Sequence, residues 1–466
     1  MKRREFLNTG LLAAVTGAFA APTILNAKSP SARKKAKNII FMVSDGMSSG
    51  TLNMADLLLQ RKEGRGSTWI DLYRQNRVKK AFMDTASANS LVTDSAAGAS
   101  AWGGGKRVKN GSLNVNPDGT FNKPILQKFK EAGKAVGCVT TVPITHATPA
   151  GFSVNFKHRN MQDKIASKYL DLKFDVMMGG GLEYFDGTKR DDKKNIFEDF
   201  NQAGFQVVRD KSQMKNTIKG KPVIGVFHED GLPYDLDLQN NAELKDKIPT
   251  LSEMTKKAIE LMSSNSDGFV LQVEGGKVDW AAHANDTAAL IYEQVAFDKA
   301  VAEAIKFAEG RNDTLVVITT DHGNANPGLI KSKKVDKKFE TLFSAKYTND
   351  KLLFEITKND KPSDVIERIK HAQNIVISDS EAKEILKAYD SHEEGLYNAY
   401  NLPFEPLAQI QQNYTSVGWS GMNHSADFVE LAMFGAGSEK LTPFVKNYEL
   451  HNYMLQVAEV NDLALV

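Results

Sequence analysis

Leu315-Val316-Val317-Ile318-Thr319-Thr320-Asp321-His322 is the stretch that decides the architecture: six β-prone residues carry no charge and stop at an acid and an imidazole. A strand covered on one face alternates apolar and polar positions, whereas an unbroken run marks a strand covered on both. Similar runs recur at Asn38–Val43 before Ser44-Asp45-Gly46, at Ala135–Thr140, and at Phe174–Met178 before Gly179-Gly180-Gly181. Others lie at Phe205–Val208, Val223–Phe227, Gly268–Val273 and Phe428–Phe434. Between them fall helical stretches, Leu251–Ser264 behind a Thr250 cap and Ala281–Glu309. This alternation predicts an α/β fold, a three-layer αβα sandwich with a mostly parallel central sheet. Ser332–Tyr414 breaks the pattern, being polar, charged and mostly helical, with Lys361-Pro362-Ser363-Asp364 as a helix start. A compact connection needs only a few residues, so this segment is expected to be an inserted cap or crown subdomain over one end of the sheet.

The composition agrees with such a fold. Of 466 residues, 41% are hydrophobic and 25% charged, which excludes a collagen-like or wholly disordered chain. Lys+Arg 59 against Asp+Glu 57 leaves +2, too balanced for a dedicated nucleic-acid partner. The single cysteine, Cys138, forms no internal disulfide, and a chain this long can bury a sufficient core without one. At the N-terminus, Lys2-Arg3-Arg4-Glu5-Phe6-Leu7 is a twin-arginine opening followed by an apolar stretch from Gly10 to Ala21. About a dozen apolar residues are too few to span a bilayer, so residues 1–27 read as a signal peptide. Ala18-Phe19-Ala20 or Asn26-Ala27 would mark its cleavage, and a basic amphipathic helix is the alternative. Residues 28–37 read as a flexible lead-in. The expected mature form has no stable membrane anchor, and it is periplasmic or secreted through the twin-arginine export machinery.

Chemistry-bearing side chains gather where strands end. Asp45 follows the first run, Glu274 follows Val273, and Asp321-His322 follows Thr320. Open α/β sheets collect ligands beyond the carboxyl ends of their strands, so these groups are expected to converge. Asp279 and His283 continue the series Glu274-x4-Asp279-x3-His283, one helical turn apart and able to share a face. His424 stands just before the Phe428 run. Carboxylates mixed with imidazoles suit zinc. Singly, each acid could be an ordinary turn or cap residue. A second constellation is Val92-Thr93-Asp94-Ser95-Ala96-Ala97-Gly98, whose small residues allow a tightly packed helix. A hydroxyl at that helix start could attack phosphorus beside the positive helix end, while Asp94 or Ser95 as a plain N-cap is the simpler reading.

Val92-Thr93-Asp94-Ser95-Ala96-Ala97 resembles the nucleophile motif of the alkaline phosphatases, and the resemblance extends along most of 38–325 and 415–450. The resemblance implies hydrolysis of small phosphate monoesters through a phosphoserine at Ser95, with two Zn2+ ions and a third divalent ion, Mg2+ or Zn2+/Co2+. Asp279, His283 and His424 match one zinc site; Asp45, Asp321 and His322 match the other. Asp45, Thr148 and Glu274 match the third site, with His146 beside it. Arg159 matches the arginine that grips phosphate. Two departures stand out: many bacterial members carry aspartate where this chain has His146 and lysine where it has Trp280, which bears on the third ion. The resemblance also implies a homodimer, with 38–331 and 415–466 as catalytic domain and 332–414 as the crown. A phosphodiesterase of the same metal superfamily, or an exported metal or phosphate binder without turnover, are the alternatives.

Overall fold

A computed structural model describes residues 35–389 and 401–460; the signal-type segment and most of the lead-in lie outside them. Ten strands form one sheet: β1 (Asn38–Val43), β2 (Lys79–Asp84), β3 (Ala135–Pro143), β4 (Val176–Gly180), β5 (Gln206–Val208), β6 (Val223–Val226), β7 (Phe269–Glu274), β8 (Thr314–Thr319), β9 (Val429–Gly435) and β10 (Phe444–Lys446). Their spatial order is β10-β2-β9-β8-β1-β7-β3-β4-β6-β5. Every pairing is parallel except those of β9, which runs against both β8 and β2.

Both faces are covered, as the unbroken runs require. Ile40 and Met42 of β1, with Val316 and Ile318 of β8, pack on one side beneath the helices Ser49–Glu63, Leu251–Met262 and Thr287–Ala308. Ile39, Phe41 and Val43, with Leu315 and Val317, face the other side beneath Ser95–Gly104, Ile125–Glu131 and Glu449–Val457. The period of two along each strand thus divides the core into two layers. Large anchors fix the second layer: Trp102 is fully buried with its ring 5.1 Å from that of Phe41. Burying such a side chain stabilises the fold by about 1.5–3 kcal/mol.

Differences from expectation have local causes. The helix anticipated over Ala281–Glu309 is two helices, Lys277–His283 and Thr287–Ala308, separated where Asn285 takes a φ of 47° and Asp286 accepts the Ala289 N–H at 3.0 Å. Asparagine tolerates the left-handed region and aspartate caps well, so this pair ends one helix and starts another. The strands β2 and β10 carry no unbroken apolar run, because they lie at the margin of the sheet; of Lys79–Asp84 only Met83 is buried. The anticipated caps are present: Thr250 and Glu253 form a reciprocal capping box, and Asp364 accepts the Lys361 N–H at 2.8 Å ahead of Pro362. Between β8 and β9 the chain forms the helices Val335–Glu340, Asn349–Phe354, Pro362–Gln373, Asp379–Leu386 and Phe404–Thr415. The last four surround their own apolar cluster, in which Leu353, Ile369, Ile385 and Leu407 are fully buried.

Candidate active site

Strand register brings the acids to one edge. Val43 of β1 stands level with Glu274 of β7 and with Thr319 of β8, so Asp45, Glu274 and Asp321 emerge side by side. The reversed strand delivers the remaining candidate ligand: β9 starts at this edge, and His424 precedes it, held in a short antiparallel pair with Asn324. Three groups result, each with ligand atoms within 4.8 Å of one another: Asp279, His283 and His424; Asp45, Asp321 and His322; and Asp45, His146 and Glu274. Thr148 joins the last, its hydroxyl donating to Asp45 Oδ2 at 3.2 Å.

The hydrogen bonds around the imidazoles show what the groups are arranged to hold. His283 Nδ1 faces the Met422 carbonyl at 2.7 Å, and His424 Nδ1 faces the Thr93 carbonyl at 2.9 Å. A carbonyl only accepts, so both rings carry their hydrogen on Nδ1 and leave a lone pair on Nε2. Those two Nε2 atoms lie 3.0 Å apart, with Asp279 oxygens at 3.4 and 3.5 Å. Lone pairs do not face each other across a hydrogen-bond distance by preference; a cation between them and the carboxylate satisfies all three. His322 Nδ1 likewise faces the Gly323 carbonyl at 3.3 Å, aiming Nε2 at Asp321 Oδ2 and Asp45 Oδ1, 3.3 and 3.6 Å away. Burial drives the His322 pKa well below its ordinary value, keeping the ring neutral.

The carboxylates carry the same message. Asp45 Oδ1, Asp321 Oδ2 and Glu274 Oε1 are buried and have no hydrogen-bond partner. Burial, then the neighbouring charge of Asp321, raises Asp45 well above the carboxylate range. Burial likewise raises Asp321 to about 6 and Glu274 to about 7, although Thr140 donates to Glu274 Oε2 at 2.5 Å. Buried acids crowded without a counter-charge resist ionising together, and divalent cations would remove that resistance. The residues present therefore fit metal ions.

Ser95 is the first residue of the helix Ser95–Gly104, 1% exposed, with Oγ 3.2 Å from His322 Nε2. Asp94 is its N-cap, accepting the Ala97 N–H at 2.9 Å, and its other oxygen accepts the Gly111 N–H at 2.9 Å and Arg159 NH1 at 3.1 Å. So the cap residue also anchors the guanidinium beside the serine. Arg159 NH2 reaches His146 Nε2 at 3.0 Å; because a guanidinium only donates, Nε2 accepts, and the buried Nδ1 has no partner. Burial, reinforced by Arg159, lowers the His146 pKa to about 3. Trp280 stands edge-on to His146 at 6.1 Å, and the Lys277 ammonium lies 4.4 Å from the Trp280 ring.

All eleven residues singled out from the sequence meet here. Sequence reading missed Asn324, whose Nδ2 donates to Asp279 Oδ1 at 2.7 Å, the anchoring role of Asp94, and the support of Thr140. Nothing in a lone asparagine three residues past Asp321 announces such a role; the signal is the pairing of Asn324 with His424, a contact across about a hundred residues of chain.

Known proteins resemble this chain over most of its length. A family profile described as Alkaline phosphatase matches residues 36–460. Alkaline phosphatase 4 of Bacillus subtilis is 29% identical over 452 residues, covering 95% of this chain and 94% of the relative. The crystal structure of Thermus thermophilus alkaline phosphatase superposes with a TM-score of 0.84 at 28% identity, covering 92% of each chain. A histidine-to-glutamate mutant of the alkaline phosphatase from TAB5, with Mg bound, superposes at 0.65 and 25% identity, covering 92% of this chain and 100% of that one. The chain belongs to the alkaline phosphatase family, a metal-dependent family, and is a phosphomonoesterase. No helix among the described residues is long and apolar enough to cross a membrane.

Proposed function

We propose that the protein hydrolyses small phosphate monoesters through a covalent phosphate on Ser95. The observation that carries this reading is the Ser95 hydroxyl itself, buried at a helix start and 3.2 Å from His322 Nε2 amid candidate metal ligands. Ser95 Oγ attacks phosphorus, the bond to the alcohol breaks, and the alcohol leaves with a proton. Water then attacks the phosphoserine, the bond to Oγ breaks, and inorganic phosphate departs. Arg159 grips two phosphoryl oxygens as a fork, kept in aim by Asp94. The positive end of the helix Ser95–Gly104 adds attraction for the anion. Asp279, His283 and His424 would hold one Zn2+, and Asp45, Asp321 and His322 the other. When bound, these ions lower the pKa of hydroxyls and neutralise the charge that builds on phosphoryl oxygens.

Asp45, Thr148 and Glu274, with His146 alongside, would hold the third ion. For His146 to add nitrogen there, Arg159 must release its Nε2, because the neutral ring carries its hydrogen on Nδ1. An imidazole favours zinc or cobalt over magnesium, which prefers oxygen ligands. The TAB5 relative holding Mg after a histidine became glutamate supports that preference. The twin-arginine opening supports export to the periplasm or medium, and the family supports a homodimer. Residues 38–331 and 415–466 would form the catalytic domain and 332–414 its crown. Quenching a turnover mixture at acidic pH and mapping phosphopeptides by mass spectrometry tests the central step. Phosphate is expected on the peptide containing Ser95, and Ser95→Ala should lose turnover by at least about a thousandfold while retaining its metals. Phosphate reproducibly found on another residue would sink the assignment.

A further inference from the structure

The helix Lys277–His283 carries Asp279 and His283 and ends at the Asn285 turn. The next residue, Asp286, is 2% exposed and shared by two elements. One carboxylate oxygen caps the helix Thr287–Ala308; the other accepts the Asn349 N–H at 2.5 Å, at the start of a helix in segment 332–414. The fully buried Asn349 side chain is closed into a ring of amides. Its Nδ2 donates to Gln411 Oε1 at 3.0 Å, and its Oδ1 accepts from Gln373 at 2.6 Å and Gln411 at 2.7 Å. Gln411 also donates to Gln373, closing the ring. Thr348 makes a second tie, giving its N–H and hydroxyl to Asp237 at 3.0 and 2.8 Å. On the far side of His283, Met422 and Ala284 pack against the apolar core of the same segment, and the Met422 carbonyl receives His283 Nδ1.

Three buried carboxamides are costly unless satisfied together, which they are only in one mutual geometry. That geometry fixes the Asn349 N–H, and the N–H fixes Asp286. We propose that segment 332–414 is a brace: the ring of Asn349, Gln373 and Gln411, acting through Asp286, orders the end of the helix Lys277–His283 and so positions the His283 ring. These are positioning residues, since none touches the reacting atoms. The brace itself stands on protein contacts alone; only its consequence at the metal rests on the two-zinc reading.

Hydrogen exchange followed by mass spectrometry on the full chain, zinc-loaded and zinc-free, tests it in Asn349→Ala and in Gln373→Leu, the second retaining side-chain volume. Exchange in peptides covering Lys277–Asp286 should accelerate by about tenfold in either variant, the scale of one lost buried hydrogen bond, with β1 and β8 unchanged. In zinc-loaded protein, one of the two ions should pass to a chelator about tenfold faster while the other keeps its wild-type rate. No change in Lys277–Asp286, or a uniform rise across the whole chain, overturns the brace. If that region loosens while the unmodified protein holds no pair of zinc ions, the brace stands and the two-zinc reading falls.

Discussion

Arg159 is held from two sides before any substrate arrives, by Asp94 at 3.1 Å and by His146 at 3.0 Å, which under the proposed mechanism would organise it for phosphate without making it the main source of positive charge. A forked guanidinium adds two charge-assisted hydrogen bonds, worth roughly 1.5–3 kcal/mol each, while bound metals supply the larger field. Arg159→Ala should therefore raise the KM and the inhibition constant for inorganic phosphate together, by roughly tenfold to a hundredfold, and reduce rather than abolish turnover. Steady-state kinetics with phosphate as inhibitor checks this; unchanged phosphate inhibition would mean that another arginine does the gripping. His146 offers a second test at this scale. Arg159 occupies its Nε2, the buried Nδ1 is unpartnered, and Trp280 stands against its edge where a flexible cation could otherwise reach phosphate. Metal-stripped enzyme should regain activity with zinc or cobalt alone, with little further gain from magnesium. His146→Asp with Trp280→Lys should instead create a marked magnesium requirement. Strong magnesium activation of the unmodified enzyme, absent from the double variant, would leave His146 as a packing residue.

The elements act as pointers for these side chains, and the turn after β1 shows how little slack they leave. Gly46 has a φ of 64°, and a Cβ there would collide with Asp279 Oδ1. Its N–H also reaches Asp321 Oδ1 at 3.1 Å, so one glycine lies against ligands of two candidate metal groups. Gly46→Ala should cost about 1–2 kcal/mol in backbone strain alone, and the displaced Asp279 should lower zinc content. Thermal melting and elemental analysis read the two effects separately; unchanged zinc content would show that Asp279 can step aside. The same tightness explains which parts could be read in advance. Strands β1, β7 and β8 were legible because helices cover both faces and every residue is apolar or buried, and each ends where an acid must stand. Strand β2 was not, since Lys79 and Lys80 are exposed at the margin and no period survives. The candidate ligands themselves were visible as acids and imidazoles beyond strand ends. Their supports were not, because the Met422 and Thr93 carbonyls and Asn324 act through contacts that only the folded chain creates.

At the scale of the whole molecule, one parallel sheet collects acids at a single edge, one reversed strand adds His424, and the helical segment between β8 and β9 clasps the Asp286 turn. That clasp makes the fold lose stability as pH rises toward neutrality, apart from any bound metal. Burial raises Asp286 from 3.8 to about 7, against the lowering effect of the Ala289 and Asn349 N–H groups. Burial, and then Asp235, raises Glu293 as well. A group whose folded pKa exceeds its unfolded value contributes stability that is fully present below the unfolded pKa and lost as pH rises through the folded one. For Asp286 the loss is complete somewhat above pH 7. Metal binding slopes the other way, since ligands must shed protons to coordinate, and bound ions stabilise the state that holds them. Metal-free protein should therefore melt at progressively lower temperature between about pH 4 and 8, by a few degrees, and zinc-loaded protein should show a shallower fall. In Asp286→Asn the proton is gone from the balance, so the slope in metal-free protein should flatten even where the melting temperature itself drops. Melting curves across that range compare slopes rather than absolute stabilities. An Asp286→Asn slope identical to that of the unmodified chain would place the pH sensitivity elsewhere.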